Sequence, residues 1–429
     1  MKNEKIGRAT RGPDSSRRNF LRSSSLALGT AVAGSFSFAS LARAAGSRAS
    51  GRLGIALIGC GGRGNDVIAP CLKNHAAWNL DVVALCDVWT VNLEATAAKV
   101  QKATGRRPKT FRRHQDLLAL PEVDAVIIAT PDFSHSPILV DAARAGKHAY
   151  VEKPMATRVE DANAAVDAVT KHRIVCQVGT QFRSSGNFAA AAELVRSGAL
   201  GQIIKVDTSY HRNVPSWIRD FSNVRREDVD WEQFRSGLPA APFDPRQFRC
   251  WQLYKQYSVG LVGLLGVHVI DLGSWLAGDP LPAYAVGVGE HLVFKEREHT
   301  DAQECLFYFP KGFILQFSSR LANASPKSEI SLYGTNGTMH CPFSPTDTFV
   351  AIGDGGGKDR LRAPVTATPV KISGHMENWL ECIRANKVQT HADVHAGYAH
   401  SIASIIGAAA CESGRRVRFD AKARRMIIG

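Results

Sequence analysis

Long apolar runs are missing from this 429-residue chain: past residue 44, no stretch of 18 reads as a membrane span, so stable membrane insertion is not expected. No CxxC pair is present. The nine cysteines, at 60, 71, 86, 176, 250, 305, 341, 382 and 411, are scattered and odd in number. That excludes a disulfide framework and a zinc site and leaves them as small buried hydrophobes. No metal is expected, and no internal repeat is visible. Basic residues do not interleave with aromatics in a stripe, so nucleic acid is not an expected partner. Strong basicity is also absent once the formal +14 is divided: residues 1–44 carry eight Lys and Arg against two acids, leaving a mild +8 for the rest. With 45% hydrophobic and 21% charged residues the chain has no disordered composition, and it is long enough for two cores.

What is present begins with SRRNFLR at 16–22. Arg17 and Arg18 precede a moderately apolar run, SLALGTAVAGSFSFASLA, which ends in LARA with Ala42 and Ala44 as small residues at a cleavage site. The three parts, in this order, resemble a twin-arginine signal peptide, with cleavage after Ala44. Residues 1–44 are therefore expected to be removed, and 45–52 to be a linker. The expected partner of the leader is the twin-arginine translocon, and the expected destination is the periplasm, reached in the folded state. The lack of paired cysteines suits a protein that folds before export.

Residues 53–180 alternate strand and helix patterns, which implies a doubly wound parallel sheet. LGIALIGCGGRG is an apolar run ending in Gly59, Gly61 and Gly64, spaced G-x-G-x-x-G. The first glycine permits a tight turn, the second lets backbone approach a pyrophosphate, and the third lets the next helix pack on the strand. A second strand, LDVVALCD, ends in Asp87. A carboxylate there suits the hydroxyls of an adenosine ribose and repels a 2′-phosphate, which favours NAD over NADP. Further on, Glu152-Lys153-Pro154 closes a strand at the carboxyl edge, where open α/β sheets bind ligands.

The order GxGxxG, ATPDxxH and EKP, followed by VGTQFR, AELVRSGALGQI, SYHRN and GVHVIDLGSWLAG, resembles the Gfo/Idh/MocA oxidoreductases over essentially the whole chain after the leader. The resemblance implies a Rossmann domain at 53–180 and an α/β domain at 181–429, whose large, mostly antiparallel sheet often joins copies into a homo-oligomer. It places Gly62, Arg63, Thr130, Pro131, His135 and Glu152 in the cofactor site. Lys153 is expected against the substrate hydroxyl and the nicotinamide region, with the following proline often cis. A lysine there stabilises negative charge as a hydroxyl proton leaves. His268 matches the histidine of the family's G-x-H-x-x-D segment and is the candidate base, because an imidazole titrates near working pH. The family commonly has an acid four residues before that histidine; here the position is Leu264.

Gln181, Arg183, His211 and Arg212 stand at predicted strand ends, where polar groups can grip sugar hydroxyls. Tyr257 and Asp271 are further substrate-side candidates, Asp271 as a residue that orients its neighbours. Residues 213–258 form a long polar and aromatic stretch, and loops of that length are usually functional or insertions. GLLGVHVIDLGSWLAG reads as one helix. The expected function is hydride transfer on a sugar or sugar derivative, with a cofactor held tightly enough to travel with the folded protein. Two alternatives stay open: a redox-neutral NAD-using glycosidase or isomerase, and a non-catalytic sugar-binding relative.

Overall fold

A computed structural model describes residues 51–343 and 347–429; the expected leader and most of the expected linker lie outside them. The first half alternates without interruption: β1 (Leu53–Ile58), α1 (Gly62–Asn74), β2 (Leu80–Cys86), α2 (Thr90–Thr104), β3 (Lys109–Phe111), α3 (His114–Leu118), β4 (Ala125–Ile128), α4 (His135–Arg144), β5 (His148–Val151), α5 (Val159–His172) and β6 (Cys176–Val178). The strands form one sheet in the order β3-β2-β1-β4-β5-β6, every pair parallel. Helices cover both faces, so β1, β4 and β5 are buried along almost their whole length rather than on alternate residues. Strand order reverses between β1 and β4, and the crevice at such a switch point is where doubly wound sheets hold ligands.

The second half supplies α6 (Gly186–Arg196), β7 (Ile203–Ser209), α7 (Trp231–Phe234), α8 (Pro245–Arg249), α9 (Val267–Ala277), β8 (Tyr284–Glu290), β9 (Ala302–Phe309), β10 (Phe313–Arg320), β11 (Glu329–Gly334), β12 (Thr338–Pro342), β13 (Phe349–Ile352), β14 (Val365–Ala367), α10 (His375–Arg384), α11 (Val394–Ser413), β15 (Val417–Asp420) and β16 (Arg425–Ile428). These strands make a ten-stranded sheet, β14-β13-β12-β11-β7-β10-β9-β8-β15-β16, antiparallel except where β7 meets β10. Phe307, Leu315 and Phe317 of its inner face pack with Ile270 and Leu272 of α9 and Ile402 and Ile406 of α11. The fold is thus the expected one: a parallel Rossmann sheet followed by an α/β domain with a mostly antiparallel sheet.

Three features differ from the simplest reading. Met376, Trp379, Leu380 and Ile383 of α10 join the core of Ile55, Leu57 and Ile127, so a helix from late in the chain seals one face of the first sheet. The segment read as one helix over 263–278 opens instead with a π-helical turn, Val262–Gly266, that runs into α9. Residues 213–258 are not a free loop. They carry α7 and α8 and pack Val229, Trp231, Phe234 and Phe248 with Trp89 and Phe133 of the first domain. Among the described residues no helix is long and apolar enough to cross a membrane, no His, Cys, Asp and Glu cluster could hold a metal, and all nine cysteines are free and buried.

Candidate active site

The site begins at the loop after β1. Gly59 has φ +97°, and a Cβ there would lie 2.6 Å from the Ala129 carbonyl. A Cβ on Gly64 would lie 1.9 Å from the Gly59 oxygen, so α1 rests directly on the turn. Around Gly62, by contrast, nothing lies within 4 Å of that position. The loop therefore leaves open space where backbone can approach a pyrophosphate, and the start of α1 adds unpaired N–H groups and a positive dipole end. Asp87 follows β2. Its carboxylate accepts from the Cys60 amide at 2.6 Å and the Trp89 amide at 2.7 Å, and burial pushes its pKa up to about 6. These residues fit a dinucleotide: an open cradle, a helix start and an acid on one rim.

A cleft of about 430 Å³ runs from this loop past Asp87 to Lys153. Of the expected cofactor residues, Gly59, Gly61, Gly62, Arg63, Asp87, Thr130, Pro131, His135, Glu152 and Lys153 line it, while Gly64 lies behind the turn. His135 has no free polar edge: its ring nitrogens face the carbonyls of Pro154 and Thr130 at 2.8 Å each, which ties the loops after β4 and β5 together. Glu152 is engaged as well, accepting from Arg63 at 2.6 Å and from the Tyr150 hydroxyl at 3.2 Å. Arg63 reaches on to the Gln181 side-chain oxygen at 2.9 Å, so it links the glycine loop to the second domain. The Lys153–Pro154 peptide is cis, and Lys153 Nζ donates to the Leu264 carbonyl at 2.9 Å. Burial lowers the Lys153 pKa, and Asp132 and Glu152 offset part of that shift.

The second domain's candidates divide. His268 sits on α9 among the rings of Phe182, Tyr210 and Phe343, with centroids 6.2, 6.2 and 6.3 Å away, and its Nδ1 is buried with no hydrogen-bond partner. Burial, then the charges of Lys153 and Arg63, push its pKa well below the ordinary histidine value. It is held as a neutral imidazole and, although Leu264 one turn before it lines the cleft, it is not itself among the lining residues. Arg183 and Asp271 face each other rather than the cleft. They form a bidentate pair with both contacts at 2.8 Å, Asp271 is 1% exposed, and neither residue lines the cleft. Tyr257 is fully buried in the aromatic cluster, its hydroxyl accepting from Arg235 and donating to Gln247, so it has no group left for substrate. His211 is buried against Arg320, while Arg212 remains exposed beside Tyr210.

Some lining residues were not picked out from sequence. Asp132 sits inside the ATPDFSH motif and is 4% exposed on the cleft wall. Arg112 lines the adenosine end beside Asp87. Trp217, Arg219, Phe234, Phe248 and Gln252 form the opposite wall, all from the long segment after β7. The aromatic spacing of that segment was its signal: Trp231, Phe234 and Phe248 needed a core, and Trp89 and Phe133 of the first domain complete it.

Two family models match the chain: the oxidoreductase family's NAD-binding Rossmann fold over residues 53–180, and the GFO/IDH/MocA C-terminal domain over 188–340. The chain belongs to the Gfo/Idh/MocA family. Levoglucosan dehydrogenase of Pseudarthrobacter phenanthrenivorans is 30% identical over 160 residues, covering 37% of this chain and 34% of that protein. A glycosyl hydrolase family 109 protein of Shewanella sp. is 26% identical over 135 residues, covering 30% of this chain and 29% of the relative. The chain thus spans about a third of these curated relatives. The crystal structure of an aldose-aldose oxidoreductase from Caulobacter crescentus, complexed with glycerol, superposes with a TM-score of 0.65 at 21% identity, covering 86% of this chain and all of that one. In this Gfo/Idh/MocA chain the NAD-binding Rossmann fold is the part that builds the cleft from Gly59 to Lys153.

Proposed function

We propose that the protein is an exported oxidoreductase that moves hydride between NAD and a secondary alcohol carbon of a sugar, holding the dinucleotide through the turnover. The observation that carries this reading is one cleft that joins the glycine loop to Lys153 and is walled on its other side by residues 217–252. The name of the levoglucosan dehydrogenase relative supports the carbohydrate class. Exposed Ile204, Leu306 and Ile314 on the outer face of the large sheet support a second copy docking there.

Bound NAD supplies the hydride acceptor, or the donor in reverse. The chain supplies everything else. Lys153 spends one N–H on Leu264 and keeps two donors for a substrate oxygen. A donor fixed beside the reacting oxygen stabilises negative charge there better than water does. His268, held neutral, is able to accept a proton from the alcohol. Arg112, Arg219 and Arg249 line the same cleft, and their charge favours an anionic dinucleotide over an empty site.

Enclosure bears on the export reading. A cofactor walled in by the 217–252 segment can cross a membrane with the folded protein, as a twin-arginine leader would require. Denaturing the purified exported form and quantifying released NAD(H) tests this. The expected result is close to one equivalent. An empty protein that also fails to take up added NAD would sink the reading. Replacing Arg17 and Arg18 by lysine should keep the protein in the cytoplasm; unchanged export would remove the localisation.

A second reading is favoured by the same enclosure. A trapped cofactor cannot be exchanged on each turnover, so oxidation and re-reduction of sugar within one cycle, giving net isomerisation or glycoside cleavage, suits this cleft. The family 109 relatives support it. Many equivalents of added NAD reduced by a single sugar would exclude the closed cycle.

A further inference from the structure

Lys153 has a half-buried ammonium on the cleft wall whose hydrogen bond goes to a neutral carbonyl, that of Leu264. The Leu264 side chain offers no charge and is 6% exposed on the same wall. A buried cation without an anion is strongly unfavourable, so its counter-charge must be sought nearby. Glu152 is the adjacent residue, yet its oxygens already serve Arg63, Tyr150 and the Lys153 amide. Asp132 is different. It is 96% buried by its 4% exposure, it lines the cleft, and its Oδ2 has no hydrogen-bond partner.

The topology brings the two to the same edge of the first sheet, with no direct ion pair between them. β4 and β5 are parallel neighbours with Ile128 opposite Val151. Asp132 and Lys153 follow those strands at the same carboxyl edge. The loops that carry them are bound together by His135 on the Pro154 carbonyl and by Ser136 Oγ on the Met155 carbonyl at 2.7 Å. We propose that Asp132 is the acidic partner of Lys153, a positioning residue that keeps the ammonium charged in the cleft. Burial pushes the Asp132 carboxyl up to about 8 and the Lys153 charge pulls against it, so Asp132 serves Lys153 as an anion above that pH. The other charges facing Lys153 are Glu152, Arg63 and Arg212, and the two arginines oppose its protonation. Imidazoles of His135 and His268 face the pair as neutral groups, both held below the ordinary value by burial. When a substrate hydroxyl gives up its proton to His268, the Asp132 charge keeps the Lys153 ammonium in place against the oxygen that is left.

This rests on the proposed role of Lys153 but not on knowing the sugar. The test is the pH dependence of Lys153 labelling by a small amine-reactive anhydride, read by mass spectrometry on the full protein. Removing a neighbouring anion lowers a lysine's pKa, so Asp132→Asn should make Lys153 about tenfold more reactive at a pH below its wild-type midpoint. Adding Leu264→Asp to that variant should restore the wild-type profile by placing a carboxylate on the other side of Nζ. An unchanged Lys153 profile in folded Asp132→Asn, or in Asp132→Ser should the first not fold, overturns the proposal. A wild-type protein that oxidises no sugar, with the labelling shift intact, would count against the hydride-transfer reading instead. With an active sugar in hand, kcat should fall and its pH profile move while KM holds.

Discussion

Trp89 and Val229 pair as an isolated antiparallel bridge, and the Asp230 amide adds a 2.8 Å bond to the Val88 carbonyl. Backbone of the second domain is thereby fastened to the strand end that carries Asp87. Trp89 then packs edge-on to Phe248 at 5.8 Å and lies under the Arg249 guanidinium at 5.0 Å. Trp89→Ala removes a side chain that is 4% exposed, at a cost of about 3–5 kcal/mol. That loss falls on the junction between the segment and the first domain. The expected result is a folded protein that releases NAD at least about tenfold faster, measured by dilution into a cofactor scavenger. Equal release rates would show that the wall does not retain the cofactor.

The glycines of the first loop separate by role, which gives a paired prediction. Gly64→Ala drives a Cβ into the Gly59 carbonyl, backbone against backbone, so stability should fall by about 3 kcal/mol or more. Gly62→Ala meets nothing within 4 Å and should leave the unfolding midpoint nearly unchanged. The same methyl stands where the pyrophosphate would approach, so NAD affinity should drop in Gly62→Ala. Chemical denaturation and NAD titration of both variants check the two halves separately.

The first domain was legible because its signals are local. Apolar strand, glycine turn and helix follow one another in sequence, and each imposes its own backbone geometry. The second domain's site was not legible in the same way. Arg183 read as a polar residue near a ligand and Asp271 as one that orients its neighbours; only their meeting, across a long sequence separation, shows that they satisfy each other. Tyr257 likewise reads as an available hydroxyl until Arg235 and Gln247 are seen to occupy it. Asp132 was hidden for the opposite reason. It sits in a motif beside Thr130, Pro131 and His135, and the missing hydrogen bond at its buried Oδ2 is visible only in three dimensions.

Asp87 makes stability and cofactor choice depend on pH. Burial raises its folded pKa to about 6, against about 3.8 for the exposed group, while the Trp89 and Cys60 amides and Arg112 pull the other way. A raised acid holds a proton in the native state that the unfolded chain has released. Its contribution to stability is therefore full below the unfolded value and is lost as pH rises through about 6. Asp87→Asn should flatten that part of the stability curve, seen as a smaller difference in denaturation midpoint between pH 4.5 and 7. Repulsion of a 2′-phosphate needs the ionised form, so the preference for NAD over NADP should weaken in Asp87→Asn at pH 7. A variant with the wild-type slope and the wild-type preference would remove Asp87 from both roles.

Arg183 and Asp271 define the last expectation. Burial favours the neutral acid, but the guanidinium beside it wins and holds Asp271 at about 2. Arg183 also lies over the Trp275 ring at 5.2 Å, so the pair braces α9 against the segment that follows β6. Removing one partner leaves a buried charge alone, which typically costs about 3–5 kcal/mol. Asp271→Asn should therefore lower stability sharply. Replacing both partners together, as Arg183→Met with Asp271→Leu, should recover much of the loss, because two apolar groups need no partner. If Arg183 instead grips the substrate, the double variant will be stable but will lose sugar affinity at constant NAD affinity. Denaturation curves and a KM measured on the double variant decide between a brace and a substrate contact.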